Sequence, residues 1–268
     1  MPLAVCATPI GNLEDVTLRV LRELAEADLV LCEDTRHTRR LLERHGIEAR
    51  LLSYHKHNEA QRTAEVLPRL QAGERVALVS DAGMPAISDP GARLVTAAHE
   101  AGVPVTVLPG PSAIETAIAL SGFGTDRFQF LGYLPRRAGE RQALWADLAR
   151  WPYAVVAFES PQRLAGALAS LAEALPDRPV AVCRELTKRF EEVVRGTAVE
   201  LAERLSGGAK GEITIVIGPA EVSPRLAEDD AVVAVEELVA GGLSRRAAAD
   251  VVSGLTGVSR NQLYRRSL

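Results

Sequence analysis

Short apolar runs alternate with longer amphipathic segments through the N-terminal half of the chain. Strands are predicted at 4–7, 29–32, 50–53, 76–80 and 103–108. Helices are predicted between them, at 17–26, 35–44, 59–71, 89–101 and 111–120, and several are followed by a glycine. This alternation is typical of βαβ units and predicts a parallel sheet covered by helices.

The alternation is interrupted at residues 121–126, Ser-Gly-Phe-Gly-Thr-Asp, which we interpret as a domain boundary. Further strands are predicted at 128–133, 153–158, 180–184, 192–196 and 213–217, with helices at 140–150, 161–175 and 198–205. A polar linker is predicted at 219–230, before short helices at 231–240, 244–255 and 259–267. The sequence therefore predicts two α/β domains, at 1–121 and 122–219, and a basic helical appendage at 229–268.

Polar, turn-rich loops follow four of the predicted strands, at 8–21, 33–36, 80–91 and 108–113. Ligands of open α/β sheets bind at the carboxyl ends of the strands, so this repetition predicts a functional site. The loop at 80–91 combines Asp81 and Asp89 with two glycines, and we expect residues 88–90 to open the following helix. The first loop offers only Gly11 in place of a G-x-G-x-x-G fingerprint, which disfavours dinucleotide binding.

The net charge of −4 is distributed unevenly. Residues 241–268 carry five arginines against one aspartate, a net charge of +4, so residues 1–240 sum to −8. A second basic cluster lies in and just after the predicted helix at 35–44 and comprises Arg36, His37, Arg39, Arg40, Arg44 and His45. Such clusters are the usual footprint of phosphate contacts, although a solvated helix face remains the alternative for each.

The cysteines Cys6, Cys32 and Cys183 lie in apolar runs and form no C-x-x-C pair. We expect small buried residues in a reducing compartment, not disulfides or zinc ligands. The pair His55 and His57 lacks a convincing third ligand, so no metal is expected. No apolar run approaches the ~20 residues of a membrane span, and 1–6 is too short for a signal sequence. A cytoplasmic protein is therefore expected.

Eight sequence blocks occur in one order along the chain. They are TPIGNLEDVTLRVL from Thr8, EDTRHTRRLLERHGI from Glu33, HNE from His57, LVSDAGMPAISDPG from Leu78, LPGPSA from Leu108, FESPQRL from Phe158, RELTKRFEE from Arg184 and KGE from Lys210. Together they resemble the tetrapyrrole-methylase superfamily and, within it, the ribosomal RNA small-subunit methyltransferase I family. Two positions depart from the family pattern, Met84 in place of the usual threonine and Gln162 in place of the usual histidine.

The resemblance implies S-adenosyl-L-methionine-dependent methylation of a cytidine ribose 2′-hydroxyl near the decoding centre of small-subunit (16S-type) ribosomal RNA. It also implies two α/β domains with the cofactor cleft between them, a homodimer, and ribosomal RNA or a ribosomal particle as partner. The cofactor-binding residues that it implies are Pro9, Ile10, Asp81, Ala82, Gly83, Met84, Ser112, Ala113, Phe158 and Leu186.

The attacking hydroxyl must lose a proton, for which the candidates are Glu33, Asp34, Glu185 and Lys188. Orienting or phosphate-binding roles are open to Asn12, Arg36 and Arg163. We assign the catalytic set to Glu33, Arg36 and Lys188. Each has a structural alternative, as a helix-start carboxylate or as a solvated or ion-paired charge.

Two other classes of function remain open at this point. A small-molecule methylase acting on a tetrapyrrole-like acid would share the fold and cofactor, but should lack the arginine-rich tail and present a cleft suited to carboxylates. A non-catalytic RNA-binding module would keep the fold alone. The tail charge disfavours the first, and the intact cofactor loops disfavour the second.

Overall fold

The N-terminal half forms a five-stranded parallel sheet, as its alternating pattern predicts. Its strands are β1 (Leu3–Cys6), β2 (Leu29–Cys32), β3 (Leu51–Ser53), β4 (Val76–Val79) and β5 (Val105–Leu108). The computed structural model, which describes residues 2–124, 126–220 and 224–268, orders these strands β3-β2-β4-β1-β5. The helices of this half are α1 (Leu18–Glu26), α2 (Thr35–Arg44), α3 (Glu59–Gln71), α4 (Ala92–Glu100) and α5 (Ala113–Ser121).

The strands β1, β2 and β4 are buried along their whole length, which explains why they read as continuous apolar runs. Helices α3 and α4 cover one face of the sheet, where Val66 and Leu94 join the core. Helices α1 and α2 cover the other face through Leu24 and Leu41. The strand order reverses between β1 and β4, so the crevice for a ligand lies outside their carboxyl ends.

The second half forms a mixed five-stranded sheet. Its strands are β6 (Phe128–Tyr133), β7 (Ala154–Glu159), β8 (Pro179–Arg184), β9 (Glu192–Thr197) and β10 (Ile213–Ile217). Their order is β6-β7-β10-β8-β9, in which β6 and β7 are parallel and the other pairs are antiparallel. Helices α6 (Ala138–Leu148), α7 (Pro161–Ala174) and α8 (Ala198–Arg204) complete this half. The prediction of two α/β halves is confirmed.

Helix α5 precedes the predicted boundary at residue 121 but buries its apolar face with the second sheet. Ile114 and Ala117 pack with Val156 of β7, Cys183 of β8 and Val216 of β10. The helix ends at Ser121, one residue beyond its predicted end, with Gly122 in the left-handed conformation at φ 69°. Thr125, within the predicted boundary, lies outside the described residues. Helix α5 therefore belongs to the first half by its position in the sequence but to the core of the second half by its packing.

The start of α4 corrects one prediction. The helix begins at Ala92, not at residue 89, because the backbone just before it is not helical. Ala86 and Ser88 have positive φ angles of 67° and 62°, and Gly91 has 139°. The Gly91 N–H donates to Glu59 Oε1 of α3 at 3.0 Å, so a carboxylate remote in sequence binds the start of this helix. The helix has no side-chain cap, so the prediction that residues 88–90 open it is wrong.

The three cysteines are buried and free, as expected. Burial raises the pKa of the Cys6 thiol to about 12, which leaves it unreactive at neutral pH. Over the described parts of the chain, no helix has both the length and the apolar character needed to cross a bilayer.

The C-terminal helices belong to a separate compact unit, formed by Asp147–Pro152 and Pro219–Leu268. They are α9 (Pro224–Ala240), α10 (Arg245–Thr256) and α11 (Arg260–Arg266). Val235, Val252 and Leu263 pack against one another in a small core of their own. The predicted linker is too long, since α9 already begins at residue 224, and its residues 221–223 lie outside the described residues.

Ion pairs offset part of the positive charge predicted for the tail. Arg260 pairs with Asp250 at 3.0 Å. Arg266 pairs with Glu228 at 3.1 Å and with Asp229. Within the described residues, Arg245, Arg246 and Arg265 have no ion-pair partner. The positive charge available to a partner is therefore smaller than the count along the sequence indicates.

Candidate active site

Loops at the edges of both sheets enclose a cavity of about 350 Å³, within the range of small-molecule sites. We call it the edge cavity. Its walls are the loops after β1, β4 and β5 on one side and the adjoining ends of β6, β7 and β10 on the other. The lining residues are Ile10, Asp81, Ala82, Gly83, Met84, Ile87, Ser88, Asp89, Ser112, Ala113, Ile114, Tyr133, Phe158, Glu159, Ser160, Pro161, Gly211, Glu212, Ile213 and Thr214.

The loop after β4 has a fixed, unusual backbone. Gly83 adopts φ 79° and exchanges two backbone hydrogen bonds with Thr8, at 2.9 and 3.0 Å. The Ser80 hydroxyl donates to the Gly83 carbonyl at 3.0 Å. Positive φ angles at the non-glycine residues Ala86 and Ser88 add local strain, which is found preferentially at functional sites. The loop is therefore held in a definite shape beside the cavity.

Most of the predicted cofactor residues meet at the edge cavity. Eight of the ten line it, namely Ile10, Asp81, Ala82, Gly83, Met84, Ser112, Ala113 and Phe158. Pro9 is buried next to Ile10, and Leu186 packs in the core cluster that contains Ile10. Residues far apart in sequence are thus brought to one cavity, as the resemblance implies.

The two departures from the family pattern lie in different surroundings. Met84 lines the edge cavity and packs against the buried core beneath α3 and α4. Gln162, near the start of α7, is exposed and is not part of the cavity wall. Only the methionine is in a position to alter a contact with a ligand.

Three carboxylates lie close together near the loop after β4. Burial, with the charges of Glu33 and Asp81, raises the pKa of Asp89 from its ordinary 3.8 to about 6. Burial and the charge of Asp81 also raise the pKa of Glu33. Asp81 Oδ1 accepts the Asp34 N–H at 3.0 Å. A carboxylate that titrates near neutral pH in a cavity wall is suited to proton transfer.

Asp89 lines two cavities. It and Ser88 belong both to the edge cavity and to a neighbouring groove between α3 and α4, which also contains Glu33 and Lys56. From the sequence, Asp89 was one of two carboxylates in the predicted ligand loop and a residue that could open the following helix, but it was not among the predicted site residues. The sequence signal for a functional role of Asp89 was the second acid, Asp81, in the same loop. The burial of Asp89 and its proximity to Glu33 depend on tertiary structure.

Glu159 is a second cavity residue that was not among the predicted site residues. It is the last residue of β7, its side chain is fully buried, and it forms an ion pair with Arg163. Its Oε1 accepts the Ser160 N–H at 2.6 Å, whereas Oε2 has no hydrogen-bond partner in the described structure. The only signal in the sequence was the acid in the FESPQRL block.

None of the three predicted catalytic residues, Glu33, Arg36 and Lys188, lines the edge cavity. Glu33 lines the neighbouring groove shared with Asp89. The guanidinium of Arg36 is bidentate with the carboxylate of Asp34, at 2.7 Å for the shortest pair, and is largely exposed. This hydrogen bonding holds the pKa of Asp34 well below its usual range.

Lys188 pairs with Glu185 at 2.9 Å and with Glu212 at 3.0 Å. Its partial burial lowers its pKa, but the hydrogen bonds to the two glutamates outweigh this effect and raise it overall. The amine is therefore protonated at neutral pH and cannot accept a proton. Because Glu212 lines the edge cavity, Lys188 places a positive charge next to that cavity.

Solved structures show the fold, and a family model defines the class of protein. Methyltransferase CobJ has a TM-score of 0.63 and 22% identity over 81% of this chain and 94% of its own. Uroporphyrin-III C-methyltransferase from Thermus thermophilus, solved with S-adenyl homocysteine, has a TM-score of 0.56 and 20% identity over 81% and 96%. These likenesses establish the fold. The tetrapyrrole (corrin/porphyrin) methylase family matches residues 2–202, so the protein is of the tetrapyrrole-methylase class.

Sequence relatives define the family within that class. Ribosomal RNA small subunit methyltransferase I of Mesorhizobium japonicum is 44% identical over 99% of this chain and 91% of its own. The Mycobacterium tuberculosis protein of that name is 44% identical over 98% and 93%. The Thermotoga maritima protein is 45% identical over 82% of this chain and 99% of its own.

The chain belongs to the ribosomal RNA small subunit methyltransferase I family. It is a methyltransferase, and the cofactor expected from the sequence, S-adenosyl-L-methionine, is that of the family.

Proposed function

We propose that this protein methylates the ribose 2′-hydroxyl of a cytidine near the decoding centre of small-subunit ribosomal RNA. The observation that carries the proposal is the match to relatives named ribosomal RNA small subunit methyltransferase I over 98–99% of the chain. The family resemblance adds the cytidine, the 2′ position and a homodimer to the proposal. The cytoplasmic location is the one expected from the sequence itself.

The lining of the edge cavity argues against a tetrapyrrole-like acid as the substrate. Its acidic residues are Asp81, Asp89, Glu159 and Glu212, and no lysine, arginine or histidine is among its described lining residues. A substrate rich in carboxylates would be repelled by this wall. A nucleoside, or a cofactor that carries positive charge, fits it better.

The edge cavity has the donor and acceptor chemistry that S-adenosylmethionine requires. Asp81 offers a carboxylate for the ammonium group or the ribose hydroxyls, and Phe158 offers an apolar aromatic surface. When bound, the cofactor supplies a sulfonium methyl group that is open to attack by an oxygen nucleophile.

We assign the acceptance of the proton from the 2′-hydroxyl to Asp89. This carboxylate lies in the wall of the edge cavity itself, whereas Glu33 lies in the neighbouring groove. Burial, and then the charges of Glu33 and Asp81, raise the pKa of Asp89 towards neutrality and so make it a stronger base. Glu33 then acts through Asp89. Lys188 and Arg36 would have to exchange their acid partners, Glu185 with Glu212 and Asp34, for the phosphates near the target.

The proposed reaction can be tested by mapping 2′-O-methyl groups on ribosomal RNA from cells with and without this protein. We expect one cytidine of the small-subunit RNA to lose its 2′-O-methyl group in the deficient cells and to regain it when the gene is restored. Purified protein with small-subunit particles from deficient cells should restore the same group. A methyl group on a base, or at no ribosomal position, would contradict the proposal.

Unpaired arginines on α2 and in the C-terminal unit are proposed to bind ribosomal RNA phosphates. Within the described residues, Arg39 and Arg40 are exposed and have no ion-pair partner, in contrast to Arg36 and Arg44, which pair with Asp34 and Glu14. The Thermotoga relative matches 82% of this chain over 99% of its own length, so part of this chain has no counterpart in that relative.

The variants Arg39→Gln/Arg40→Gln and Arg246→Gln/Arg265→Gln should both weaken binding to small-subunit particles. For every arginine that no longer binds a phosphate, the slope of log K against log salt should fall by about 0.7 to 0.9, because fewer counterions are released on binding. Affinity for the cofactor should be unchanged. Fluorescence anisotropy over a series of salt concentrations measures the binding of particles, and calorimetry measures the binding of the cofactor.

The exposed arginines of α1 provide a control with the same change in charge, Arg19→Gln/Arg22→Gln. This pair should leave the salt slope unchanged. Equal slopes for all three variants and the wild type would remove the phosphate-binding role from α2 and the C-terminal unit.

A further inference from the structure

Two large apolar side chains at the edge cavity are exposed to solvent. Of the large apolar residues that are exposed in the described parts of the chain, only Ile87 and Tyr133 line this cavity. Ile87 is 46% exposed and Tyr133 is 60% exposed. Much of their apolar surface is therefore left uncovered by the protein and is available to a group that enters the cavity from solvent.

A β-bulge turns the ring of Tyr133 towards the cavity wall. The pairing of β6 with β7 is regular up to Phe130 and resumes at Tyr133, which lies opposite Phe158. Because Phe130 lies opposite Val156, β6 holds one residue more than β7 over this stretch. Gly132 supplies the left-handed backbone of the bulge, with φ 69°. In a regular strand, residues 130 and 133 would point to opposite faces, but both of their rings pack on Phe158.

The end of β6 lies against the loop after β4. A Cβ added to Gly132 would lie 3.8 Å from the hydroxyl oxygen of Ser88, so Tyr133 and Ile87 belong to adjoining parts of the cavity wall. Asp89, to which we assign acceptance of the proton, lines the same cavity from the same loop. A nucleoside whose ribose reaches Asp89 therefore has its base close to the exposed rim formed by Ile87 and Tyr133.

The ring of Tyr133 has the properties of a support for an unpaired RNA base. Proteins hold bases that leave the RNA structure by stacking them on aromatic side chains, since every base has an apolar π face. The Phe158 ring packs edge to face with Tyr133 at 5.7 Å and 63°, which orients the tyrosine ring while most of its surface stays exposed. A base is neutral, so the acids of the cavity wall do not repel it.

We propose that the ring of Tyr133 stacks on the base of the target cytidine and, with Ile87, holds the nucleoside at the mouth of the edge cavity with its ribose towards Asp89. The inference rests on the proposed function for the identity of the base. It assigns the exposed rim of the cavity to RNA and leaves the buried part, around Ile10 and Gly83, to the cofactor.

Two variants of Tyr133 separate the ring from its hydroxyl. Tyr133→Ala should raise KM for small-subunit particles by about 10- to 100-fold and change kcat less, because stacking on one base is lost. Tyr133→Phe keeps the ring and should keep the wild-type KM. Calorimetry should show unchanged affinity of both variants for S-adenosylhomocysteine. A loss of this affinity in Tyr133→Ala would assign the ring to the adenine of the cofactor and overturn the inference.

An abasic nucleotide at the target position tests the contact itself, because it keeps the ribose hydroxyl but has no base to stack. Reconstituted particles with cytidine or with the abasic nucleotide are compared by kcat/KM. Tyr133→Ala should lower kcat/KM on the cytidine particle by about 10- to 100-fold and on the abasic particle hardly at all. Equal losses on both particles would mean that the ring does not touch the base, and would overturn the inference.

The matched control is Phe128→Ala, because Phe128 is an aromatic residue of the same strand, is 42% exposed and lies outside the cavity. It should lower kcat/KM on neither particle. Ile87→Ala should cause a smaller loss than Tyr133→Ala, and on the cytidine particle only. If circular dichroism shows that Tyr133→Ala does not fold, Tyr133→Leu keeps the apolar bulk without the ring and takes its place.

Two further outcomes are decisive. A change in the association state of Tyr133→Ala at sedimentation equilibrium would show that the ring covers a second copy of the chain, and would overturn the inference. If mapping finds no ribosomal 2′-O-methyl group, the proposed function and this inference fail together. If the group is mapped as proposed but the two particles lose equally, this inference fails alone.

Discussion

Replacing Asp89 by asparagine is expected to lower kcat/KM for methyl transfer by about 10²- to 10⁴-fold, the usual contribution of a general base. In the wild type, kcat/KM should fall about tenfold per pH unit below the Asp89 pKa of about 6 and level off above it, because only the carboxylate accepts a proton. The variant should lack this acid limb. Initial rates at low substrate concentration across the pH range measure both effects.

The acid limb also depends on the groups that face Asp89. Burial raises its pKa most, and the charges of Glu33 and Asp81 raise it further. Lys56 and Arg93 carry positive charge in the adjoining groove. The variant Glu33→Gln should therefore move the limb to lower pH, because one repelling charge is removed. Glu100→Gln, in the same groove, is the control and should leave the profile in place. If Asp89→Asn retained both the wild-type rate and the acid limb, another group would be the base.

Asp89 should also lower the stability of the folded protein at neutral pH. Its pKa is raised by folding, so between pH 3.8 and about 6 the folded state keeps a proton that the unfolded chain has released, and at pH 7 the partly buried carboxylate is charged and destabilises the fold. Its favourable contribution is full below its ordinary 3.8 and is lost as the pH rises through about 6. Asp89→Asn should therefore raise the midpoint temperature of unfolding at pH 7 while it lowers activity. Replacing a residue that has only a structural role would not raise the unfolding temperature and lower the activity together.

Cofactor binding should be abolished when the loop after β4 is altered at two positions. Asp81→Asn keeps an acceptor for the Asp34 N–H but removes the charge, and should weaken binding of S-adenosylmethionine by about 10- to 100-fold. Adding Gly83→Ala places a side chain on a backbone with φ 79°, which costs about 1–2 kcal/mol and disturbs the bridge to Thr8. Calorimetry should detect no binding by the double variant.

A glycine with similar backbone outside the cavity serves as the control. Gly46 follows α2 with φ 65°, and a Cβ added there would meet nothing within 4 Å. Gly46→Ala should therefore carry the same backbone strain but leave cofactor binding unchanged. Circular dichroism should show that both variants are folded. If the double variant is folded and binds with wild-type affinity, the loop after β4 does not hold the cofactor.

Much of the fold was determined by local sequence patterns. The strand β2, the helices α2 and α3 and the strand β10 have the bounds predicted from periodicity and from their terminal residues. Buried strands require continuous apolar runs, and helices that cover a sheet require one apolar face, so both leave a local signal. The polar loops at the strand ends also indicated the site, because parallel strands place those ends together.

The pairing of distant residues left no such signal. Helix α4 begins at Ala92 after a non-helical backbone, and a glutamate from α3 binds the residue before it. Two of the five arginines that made the tail look basic are paired with acids, Arg260 with Asp250 and Arg266 with the acids of α9. A charge counted along the sequence is therefore an upper limit on the charge that a partner meets.

By itself, the sequence determined the α/β elements, the loops that carry the site and the family. Only the tertiary structure decided which acids of that site have unusual surroundings. The pKa of Asp89 depends on burial and on Glu33 from another loop, and the free oxygen of Glu159 depends on Ser160 and Arg163 both holding the other one. Hydrogen bonding and electrostatic free energy depend on distance in space and on exclusion of water, which a pattern along the chain does not specify.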